Sequence, residues 1–480
     1  MHPLDLTIIV AYMITIVVVG LVLSRKVHDA HDFFLAGRSL TWWIIGLSII
    51  GTNVSAEGYV GAAGGAYKNG IAQANFEWIG AIPAMILASL VFIPLYWRSG
   101  VYSIPEYLGL RYNQTVRVTA ALIASVFSVF TIGVALWAIA LTLETYLNWP
   151  IWAGILVTGT VVGLYSTAGG LRAVAFTDAL QVVIMFAGGV FIGWLGISKA
   201  GGLDAFATAL TTDHPDHLSA YLASDHGEFP WPGVLLGLGI VLSPAYWCGG
   251  QAILQRTLGA RSQWDASASM IFAAFAKTFV PLLIVFPGLL ALVMMADIEY
   301  PDMALPWVIK NVLPPGLSGL MFIAIIAALQ SSIDSGINST SLMVTRDIRR
   351  VIFKNANPDS DLKVGRWTTV VVLLGGMLFA PFIGELGGIY FLVQTLLSLF
   401  QGPMLALLVL GAFSRHPTAN AGLITLLSGV AVAACLMWYG LNMLYVAFGT
   451  FCYSVVLLWC ASYFTARSDQ DLSKLVFRYG

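Results

Sequence analysis

The stretch AALQSSIDSGINST, residues 327–340, places five hydroxyls, an aspartate, a glutamine and an asparagine directly after a purely apolar run. Four positions share one helix face through i, i+3, i+4, i+7 spacing: Ala328, Ser331, Ser332 and Ser335. Sodium is a hard cation that prefers oxygen ligands, so these hydroxyls and the carbonyls of a nearby unwound segment would form a suitable cage. Hydroxyls that only join helices by hydrogen bonds are the alternative. The adjacent carboxylate of Asp334 favours a cation or a proton.

Charged residues inside apolar runs form a second set of chemical candidates, namely Glu57, Glu77, Asp334 and Lys277. An ionised group at membrane depth costs about 2.5 to 3.5 kcal/mol, so each needs a partner or a wet cavity. Glu77, in NFEWIG, and Lys277, in FAAFAKTF, are predicted partners that together offer acceptors and a donor to a polyhydroxylated ligand. A structural ion pair that only fixes helix packing is the alternative.

The elements that carry these residues are predicted to be membrane helices. The 480-residue chain is 58% hydrophobic and 10% charged, against about 25% charged in soluble domains. We therefore predict an all-α integral membrane protein, and the net charge of −1 argues against nucleic acid as a partner. No histidine lies in a predicted span, which argues against an enzyme, and no organic cofactor is expected. A membrane sensor would need an appended signalling domain, for which the expected tail leaves no room.

Hydropathy predicts thirteen spans. They lie near residues 6–24, 42–66, 71–97, 115–143, 150–167, 178–199, 231–252, 269–296, 316–343, 366–384, 386–412, 419–439 and 442–465. Alternate loops then collect nineteen of the 23 basic residues on one side, with Lys68, Lys199 and Lys310 on the other and Lys277 inside a span. By the positive-inside rule, the N-terminus is expected outside and the C-terminus in the cytoplasm, in the plasma (inner) membrane.

Two predicted spans are interrupted, by GTNVSAEGYVG at 51–61 and by SPAYWCGG at 243–250. They stand five helices apart, so the two broken helices have opposite orientations, as in inverted-topology repeats. We expect a single transmembrane domain, 1–480, with repeat one near 42–199 and repeat two near 231–412. The remaining spans, 6–24, 419–439 and 442–465, are then peripheral. Unwound backbone at the midplane predicts a ligand site there; kinks for packing are the alternative.

Asp178 begins the sixth predicted span, in the sequence AFTDALQ. A helix N-cap explains an aspartate at such a position. Its functional interpretation is an ion ligand or part of a cytoplasmic exit.

Six motifs resemble one known family, the sodium/solute symporters, and within it the sodium/glucose and sodium/galactose cotransporters. The motifs are HDFFLAGRSL, NVSAEGYVG, FEWIG, STAGGLRAVAFTDALQ, YWCGGQAILQRTLGA and ALQSSIDSGINS. The resemblance extends over nearly the whole chain. It implies a leucine-transporter-like fold of two inverted five-helix repeats and import of a small polar solute by alternating access. Sodium is the implied coupling ion, and a monomer is expected to suffice.

The same resemblance implies the ligands of the cations. A main sodium site would use the broken second helix and the ninth helix, through Gly51, Val54, Ala328, Ser331 and Ser332. A second site, present in some members, would use Asp178 with Ser331 and Ser335. Asp334 stands where those members have Ser or Thr, and would strengthen that site or replace it with a protonatable group.

For the solute, the resemblance implies a pocket that binds a monosaccharide such as glucose or galactose. Its residues would be Asn53, Glu77, Ser243, Tyr246, Trp247, Lys277 and Gln394. Three positions depart from a galactose carrier, which has Gln, Asn and Ser where this chain has Gly58, Ser243 and Gly80. The alternatives are sodium symport of inositol, a monocarboxylate, sialic acid or an amino acid.

Overall fold

The fold is all-α, as the sequence predicts. The computed structural model describes residues 2–477 except 25–26, 55–56, 296–297, 299, 355–356, 386–388 and 467–470. Within these residues the β-type pairing is confined to an isolated bridge between Leu40 and Ala260.

Eleven α-helices form the N-terminal part of the described chain. They are α1 (Pro3–Ser24), α2 (Ala30–Leu35), α3 (Trp42–Asn53), α4 (Ala62–Asn69), α5 (Asn75–Trp78), α6 (Ile82–Leu87), α7 (Ile93–Ser99), α8 (Ile104–Arg111), α9 (Gln114–Leu147), α10 (Ile151–Lys199) and α11 (Leu203–Thr212). The backbone of Gly170 leaves the helical region at φ 58° and ψ −166°, so α10 is two helices joined at this residue.

Thirteen further α-helices follow in the rest of the described chain. They are α12 (Trp231–Gly233), α13 (Ser243–Gly249), α14 (Gln251–Leu258), α15 (Gln263–Lys277), α16 (Pro281–Ile284), α17 (Phe286–Val293), α18 (Ala304–Val312), α19 (Leu317–Leu342), α20 (Arg350–Ile352), α21 (Asp361–Phe379), α22 (Ile389–Phe413), α23 (Ala419–Trp438) and α24 (Met443–Phe464). Short π-helical segments continue several of them, at Glu57–Gly61, Ala88–Phe92, Val234–Leu242 and Met343–Arg349. The 3₁₀ turns are Ala36–Arg38, Gly70–Ala74, Pro215–Leu218, Pro301–Met303, Pro358–Ser360 and Ala380–Glu385.

Nine helical stretches of the described chain are long and apolar enough to cross a membrane. They are Gly58–Ser99, Gln114–Glu144, Gly170–Lys199, Trp231–Gly249, Leu317–Ile352, Asp361–Ile383, Phe391–Phe413, Ala419–Trp438 and Met443–Phe464. The pair Gln263–Lys277 and Pro281–Val293, bent by 48°, makes a tenth if it is one span. Pro3–Thr15 and Ile151–Leu164 are shorter apolar helices. The count of thirteen is therefore not confirmed, because bends and breaks divide several predicted spans, and it stays a prediction.

Both predicted interruptions are present. Helix α3 ends at Asn53, and Val54 has the non-helical angles φ −76° and ψ 64°. The other break separates α13 from α14 at Gly250, where ψ is 109°. Each break ends a helix in the middle of an apolar span. The last carbonyls of that helix then need hydrogen-bond partners from elsewhere in the protein.

Helix α19 lies at the centre of the fold. The most apolar window of its span is 89% buried, against 33% to 61% for the other eight spans. It packs against α1, α3, α9, α10 and α21. A helix enclosed on all sides can present its polar residues only to other helices, so the hydroxyls of α19 face protein and not lipid.

Helix α1 is hydrogen-bonded to α19 at one point and to α10, which packs against α19, at another. The Asp5 carboxylate is buried, and its Oδ1 accepts hydrogen bonds from the backbone N–H groups of Gly316 (2.7 Å) and Gly319 (2.8 Å) at the start of α19. Further along α1, the hydroxyl of Tyr12 accepts a hydrogen bond from Gln181 Nε2 of α10 at 3.1 Å.

Candidate cation and substrate sites

A cluster of oxygens joins the end of α3 to the middle of α19. The hydroxyl of Ser331 donates to the carbonyl of Gly51 at 2.7 Å and lies 3.2 Å from the carbonyl of Ala328. Ser332 Oγ donates to the same Ala328 carbonyl at 3.2 Å. The structure thus brings together four of the five residues predicted for the main sodium site.

The fifth predicted ligand, Val54, follows Gly51 on the same segment. Its backbone N–H still bonds to the carbonyl of Ile50 at 2.8 Å, but its own angles turn the chain out of the helix. Gly51 is one of the last residues of α3, so its carbonyl is among those that a helix end leaves open. The arrangement therefore gathers neutral oxygens of the type that a hard cation prefers.

A buried ion pair lies beside this cluster. Arg256 Nη2 donates to Asp178 Oδ2 at 3.0 Å and to Ser335 Oγ at 2.5 Å. Both members of the pair are almost fully enclosed, with 0% of Asp178 and 1% of Arg256 exposed. Ser48 completes the contact, because its hydroxyl donates to Asp178 Oδ2 at 2.6 Å and accepts from Arg256 Nε at 2.6 Å.

Thr52, one turn after Ser48 on α3, extends the same network. Its hydroxyl lies 3.4 Å from Asp178 Oδ2 and 3.1 Å from Ser335 Oγ. The acid and the hydroxyl that were predicted to bind a second cation are thus together, with a guanidinium between them.

Two sequence-based interpretations are wrong here. Asp178 is not a helix N-cap, because it lies inside α10, eight residues beyond the break at Gly170. Arg256 is one of the nineteen basic residues assigned to the loops of the cytoplasmic side, but it lies in helix α14 and is buried; the side of the membrane that it faces stays a prediction. Basic residues near span ends usually extend toward water, so only the position of α14 after the break at Gly250 shows that this one turns inward.

Asp334 occupies a different side of α19. Its Oδ1 accepts a hydrogen bond from the hydroxyl of Ser166, in the first half of α10, and 1% of its surface is exposed. Its role in a second sodium site stays a prediction.

All seven predicted substrate residues line one central cavity. They are Asn53, Glu77, Ser243, Tyr246, Trp247, Lys277 and Gln394, and its volume is about 70 Å³. The cavity is lined by the end of α3, by α5 and the two residues Gly80 and Ala81, by the π-helical segment Val234–Leu242, by α13, by the end of α15 and by α22. It lies where the two broken spans meet.

The predicted partners Glu77 and Lys277 form an ion pair in the wall of this cavity. Lys277 is buried, with 2% of its side chain exposed, and Glu77 is slightly more open at 10%. They are the charged residues among the described lining, so the two charges cancel and the cavity is neutral overall. A neutral, polar cavity suits an uncharged ligand that both donates and accepts hydrogen bonds.

Two buried acceptors in the cavity wall have no hydrogen-bond partner among the described residues. They are Asn53 Oδ1 and Gln401 Oε1. A buried acceptor without a donor costs about 1 to 3 kcal/mol, which a ligand hydroxyl would recover. Sequence reasoning missed Gln401, although it stands seven residues after Gln394 and therefore on the same face of α22.

The three departures from a galactose carrier also lie at this cavity. The hydroxyl of Ser243 donates to the carbonyl of Gly80, so it is already engaged within the protein. A Cβ atom at Gly80 would lie 2.5 Å from the carbonyl oxygen of Phe76, which excludes a larger residue on this backbone. Beside them, the rings of Tyr246 and Trp247 meet edge to face, with centroids 5.2 Å apart.

The sequence matches the Sodium:solute symporter family over residues 33–429. The chain belongs to this family. It is 32% identical to the sodium/glucose cotransporter of Vibrio parahaemolyticus, covering 98% of this chain and 92% of that protein. The sheep (Ovis aries) sodium/glucose cotransporter 1 is 30% identical over 88% of this chain and 70% of its own length. Sodium/myo-inositol cotransporter 2 of Mus musculus is 30% identical over 90% of this chain and 69% of its own length.

Solved structures of symporters share the fold. The substrate-bound, outward-open state of a Na+-coupled sialic acid symporter has a TM-score of 0.88 at 22% identity, covering 98% of this chain and 99% of that one. A nucleobase-cation-symport-1 family transporter in a closed conformation has a TM-score of 0.59 at 14% identity, covering 94% of this chain and 99% of that chain. The family and the leucine-transporter-like fold expected from the motifs are confirmed; the boundaries of the two repeats stay predictions.

Proposed function

We propose that the protein imports a neutral monosaccharide, such as glucose or galactose, together with sodium by alternating access. The observation that carries this proposal is the central cavity, whose only described charges are the ion-paired Glu77 and Lys277. A carboxylate, an ammonium group and several amides supply both acceptors and donors, which is what a ring of hydroxyls requires. The sodium/glucose cotransporters among the relatives support the same substrate class.

The coupling ion is proposed to bind between α3 and α19. Its ligands are the carbonyls of Gly51, Val54 and Ala328 and the hydroxyls of Ser331 and Ser332. Binding there holds the unwound end of α3 against α19, and release loosens both the cation site and the adjacent cavity. At a membrane potential of 100 mV, one sodium ion supplies about 2.3 kcal/mol, which supports roughly fifty-fold accumulation of solute.

We further propose one sodium ion per cycle. The guanidinium of Arg256 already supplies positive charge to Asp178 and to Ser335, two groups of the predicted second sodium site. A second cation at that place would have to displace it. The protein is proposed to act as a monomer in the plasma membrane, with its N-terminus outside and its C-terminus in the cytoplasm, as the distribution of basic residues indicates.

Myo-inositol is the second candidate substrate. It is a neutral polyol with the same hydrogen-bonding chemistry, and sodium/myo-inositol cotransporter 2 is among the relatives. Anionic substrates fit less well, because a carboxylate would need an unpaired positive charge, and Glu77 already neutralises Lys277 in the described lining.

The proposal is tested by counterflow in proteoliposomes. Radiolabelled glucose, galactose, myo-inositol, pyruvate and proline are offered in sodium and in potassium buffers. We expect sodium-dependent exchange of a sugar, or of inositol, and none of pyruvate. Preference for the carboxylate or the amino acid would overturn the substrate class.

The cation site is tested in the same vesicles with Ser332→Ala, which should abolish sodium stimulation. Ser339→Ala is the matched control, since that hydroxyl bonds to the carbonyl of Gly336 within the same helix. Unchanged sodium dependence in Ser332→Ala would remove α19 from the cation site.

A further inference from the structure

A groove of about 630 Å³ runs between the first half of α10 and α21. It lies on the outer surface of the protein, because the leucines along its edges are strongly exposed: 52% for Leu156, 63% for Leu164 and 52% for Leu374. The lining is apolar apart from Thr160, whose hydroxyl bonds to the carbonyl of Leu156 at 2.8 Å, and Arg366 at one end. In a membrane-spanning protein, this groove faces lipid.

Close packing of the two helices forms the floor of the groove. A Cβ atom at Gly159 would lie 2.6 Å from Met377 Sδ, and one at Gly163 would lie 2.9 Å from Leu373 Cδ2. Because α10 has no side chain at these two positions, the two helix backbones approach closely. The leucines on either side form the walls of the groove. The groove is therefore a fixed feature of this helix pair.

Arg366 closes one end of the groove and is not neutralised by a described carboxylate. Its Nε is buried and has no hydrogen-bond partner among the residues that the structure describes. By contrast, Arg350 forms an ion pair with Asp361 close by in the sequence. A buried N–H of a guanidinium is a strong donor, and it is best satisfied by an anion such as a phosphate.

A second cavity, of about 440 Å³, continues from the groove at Arg366 and Val370, which line both. It adds Lys363, one turn before Arg366 on the same face of α21, and Asp359. Two basic groups and one acid give this cavity a net positive charge. A polar, positive cavity thus opens directly onto an apolar groove.

The depth of the groove matches one leaflet of a bilayer. Trp367, at the polar end, is 63% exposed, and exposed tryptophans mark the level of the lipid headgroups. From Arg366 to Met377 the helix rises about 16 Å at about 1.5 Å per residue. Half of a hydrocarbon core of about 30 Å is about 15 Å.

We propose that this groove binds one anionic glycerophospholipid, with an acyl chain between α10 and α21 and the phosphate on Arg366 and Lys363. The apolar length, the headgroup-level tryptophan and the unpaired guanidinium N–H each fit a different part of that molecule. A zwitterionic lipid would lack the net charge that complements the cavity, and a soluble phosphate would leave the groove unused.

Binding is measured by native mass spectrometry of the full-length protein in a neutral detergent, titrated with dioleoyl phosphatidylglycerol or dioleoyl phosphatidylcholine. Two basic side chains at a headgroup predict a tenfold to about thirtyfold preference for phosphatidylglycerol. Arg366→Gln leaves only Lys363 and should reduce this preference to about threefold to fivefold, whereas Arg366→Lys should keep most of it. Arg415→Gln is the matched control, because Arg415 is an exposed basic residue outside both cavities.

The groove itself is tested by Thr160→Trp, which fills it and leaves Arg366 intact. We expect phosphatidylglycerol binding at least fivefold weaker in this variant, and binding of glycerol phosphate to the wild type more than a hundredfold weaker than that of the lipid. Equal affinity for the two lipids, equal loss in Arg366→Gln and Arg415→Gln, or tight binding of glycerol phosphate would each overturn the proposal. So would normal lipid binding by Thr160→Trp. Circular dichroism and gel filtration verify that each variant is folded.

Discussion

Two of the buried ion pairs in the described part of this symporter, Arg256–Asp178 and Lys277–Glu77, differ in what surrounds them. Arg256 and Asp178 are enclosed among helices, where the hydroxyls of Ser48 and Thr52 donate to Asp178 Oδ2 and the hydroxyl of Ser335 accepts from Arg256. Glu77 and Lys277 also pair, but they stand in the wall of a cavity. The first pair is surrounded by protein groups, whereas the second has space beside it.

We propose that this difference separates a structural role for the first pair from a substrate-binding role for the second. A sealed pair stabilises one arrangement of the helices that carry it, and removal of one partner leaves a charge with no water nearby. A pair at a cavity can exchange part of its contact for contact with a ligand. Burial and charge are alike in the two pairs, so the adjoining space decides the function.

The largest expected effect on stability comes from Arg256→Ala. Loss of the guanidinium leaves Asp178 uncompensated, which should lower the free energy of unfolding by about 3 to 5 kcal/mol. Thermal unfolding in detergent measures the change. The double variant Asp178→Asn, Arg256→Gln should recover most of the loss, because it removes both charges. A variant Arg256→Ala as stable as Lys277→Ala would break the comparison.

Lys277→Ala should act mainly on transport. An ammonium group that donates to a bound sugar contributes about 1.5 to 3 kcal/mol per hydrogen bond, so uptake at low sugar concentration should fall by about a hundredfold. Destabilisation should be smaller than for Arg256→Ala, since water can reach Glu77 through the cavity. Tracer uptake and thermal unfolding are compared in one preparation. Normal uptake by Lys277→Ala would indicate that the pair of Glu77 and Lys277 only stabilises helix packing.

Asp302 is an acid of the described chain that forms no ion pair there, and it tests what the absence of a cationic partner costs. It lies outside the spans, between α17 and α18, and its Oδ2 accepts a hydrogen bond from the backbone N–H of Ile389 at 3.1 Å. Burial raises the pKa of Asp302 to about 6, and the hydrogen bond from Ile389 opposes this rise. The folded protein therefore holds the proton more tightly than the unfolded chain does.

Stability from this group is complete below about pH 4 and is lost as the pH rises through 6, by about 2 to 3 kcal/mol. Asp302→Asn keeps an acceptor for Ile389 but cannot ionise. The difference in unfolding temperature between this variant and the wild type should thus grow from pH 4 to pH 7 in favour of the variant. A difference in unfolding temperature that does not change with pH would contradict the raised pKa of Asp302.

The smallest expected effect comes from Gln401→Leu. Loss of one neutral hydrogen bond to a sugar, worth about 0.5 to 1.5 kcal/mol, should raise the half-saturating sugar concentration about twofold to tenfold. Stability should hold or improve, because a buried acceptor without a partner is removed. Gln73→Leu is the control, since Gln73 is a buried glutamine with unpaired oxygen and nitrogen atoms that does not line the cavity. An equal effect of both variants on uptake would argue against a direct contact.

The sequence predicts one ion pair and not the other for a physical reason. Glu77 and Lys277 both lie within apolar runs, so the cost of isolated charges in a membrane requires that each finds a partner. Arg256 stands near the end of a span, where a basic residue normally reaches water, and only the three-dimensional path of α14 reveals its burial. The family resemblance implied seven of the cavity residues position by position, yet it implied no role for Gln401.

Helix boundaries are also only partly predictable from the sequence. The pattern of apolar residues placed the start of the sixth span at Asp178, whereas the backbone bends at Gly170, because α10 continues as helix through polar residues. Around the first break, Ser55 and Ala56 lie outside the described residues, so the path of the chain just beyond Val54 stays a prediction. The period of the apolar residues predicts well which face of a helix is buried, but it predicts poorly where the helix begins and ends.

The hydrogen bonds between Asp5 and the first turn of α19 connect the N-terminal helix to the helix that carries the proposed sodium ligands. The two elements are far apart in sequence, yet their hydrogen bonds and the contact of Tyr12 with α10 tie them into one body. A spectroscopic label on the exposed side of α1, for example at Leu6, would therefore follow the displacement of α19 through the transport cycle without any change inside the ion pathway.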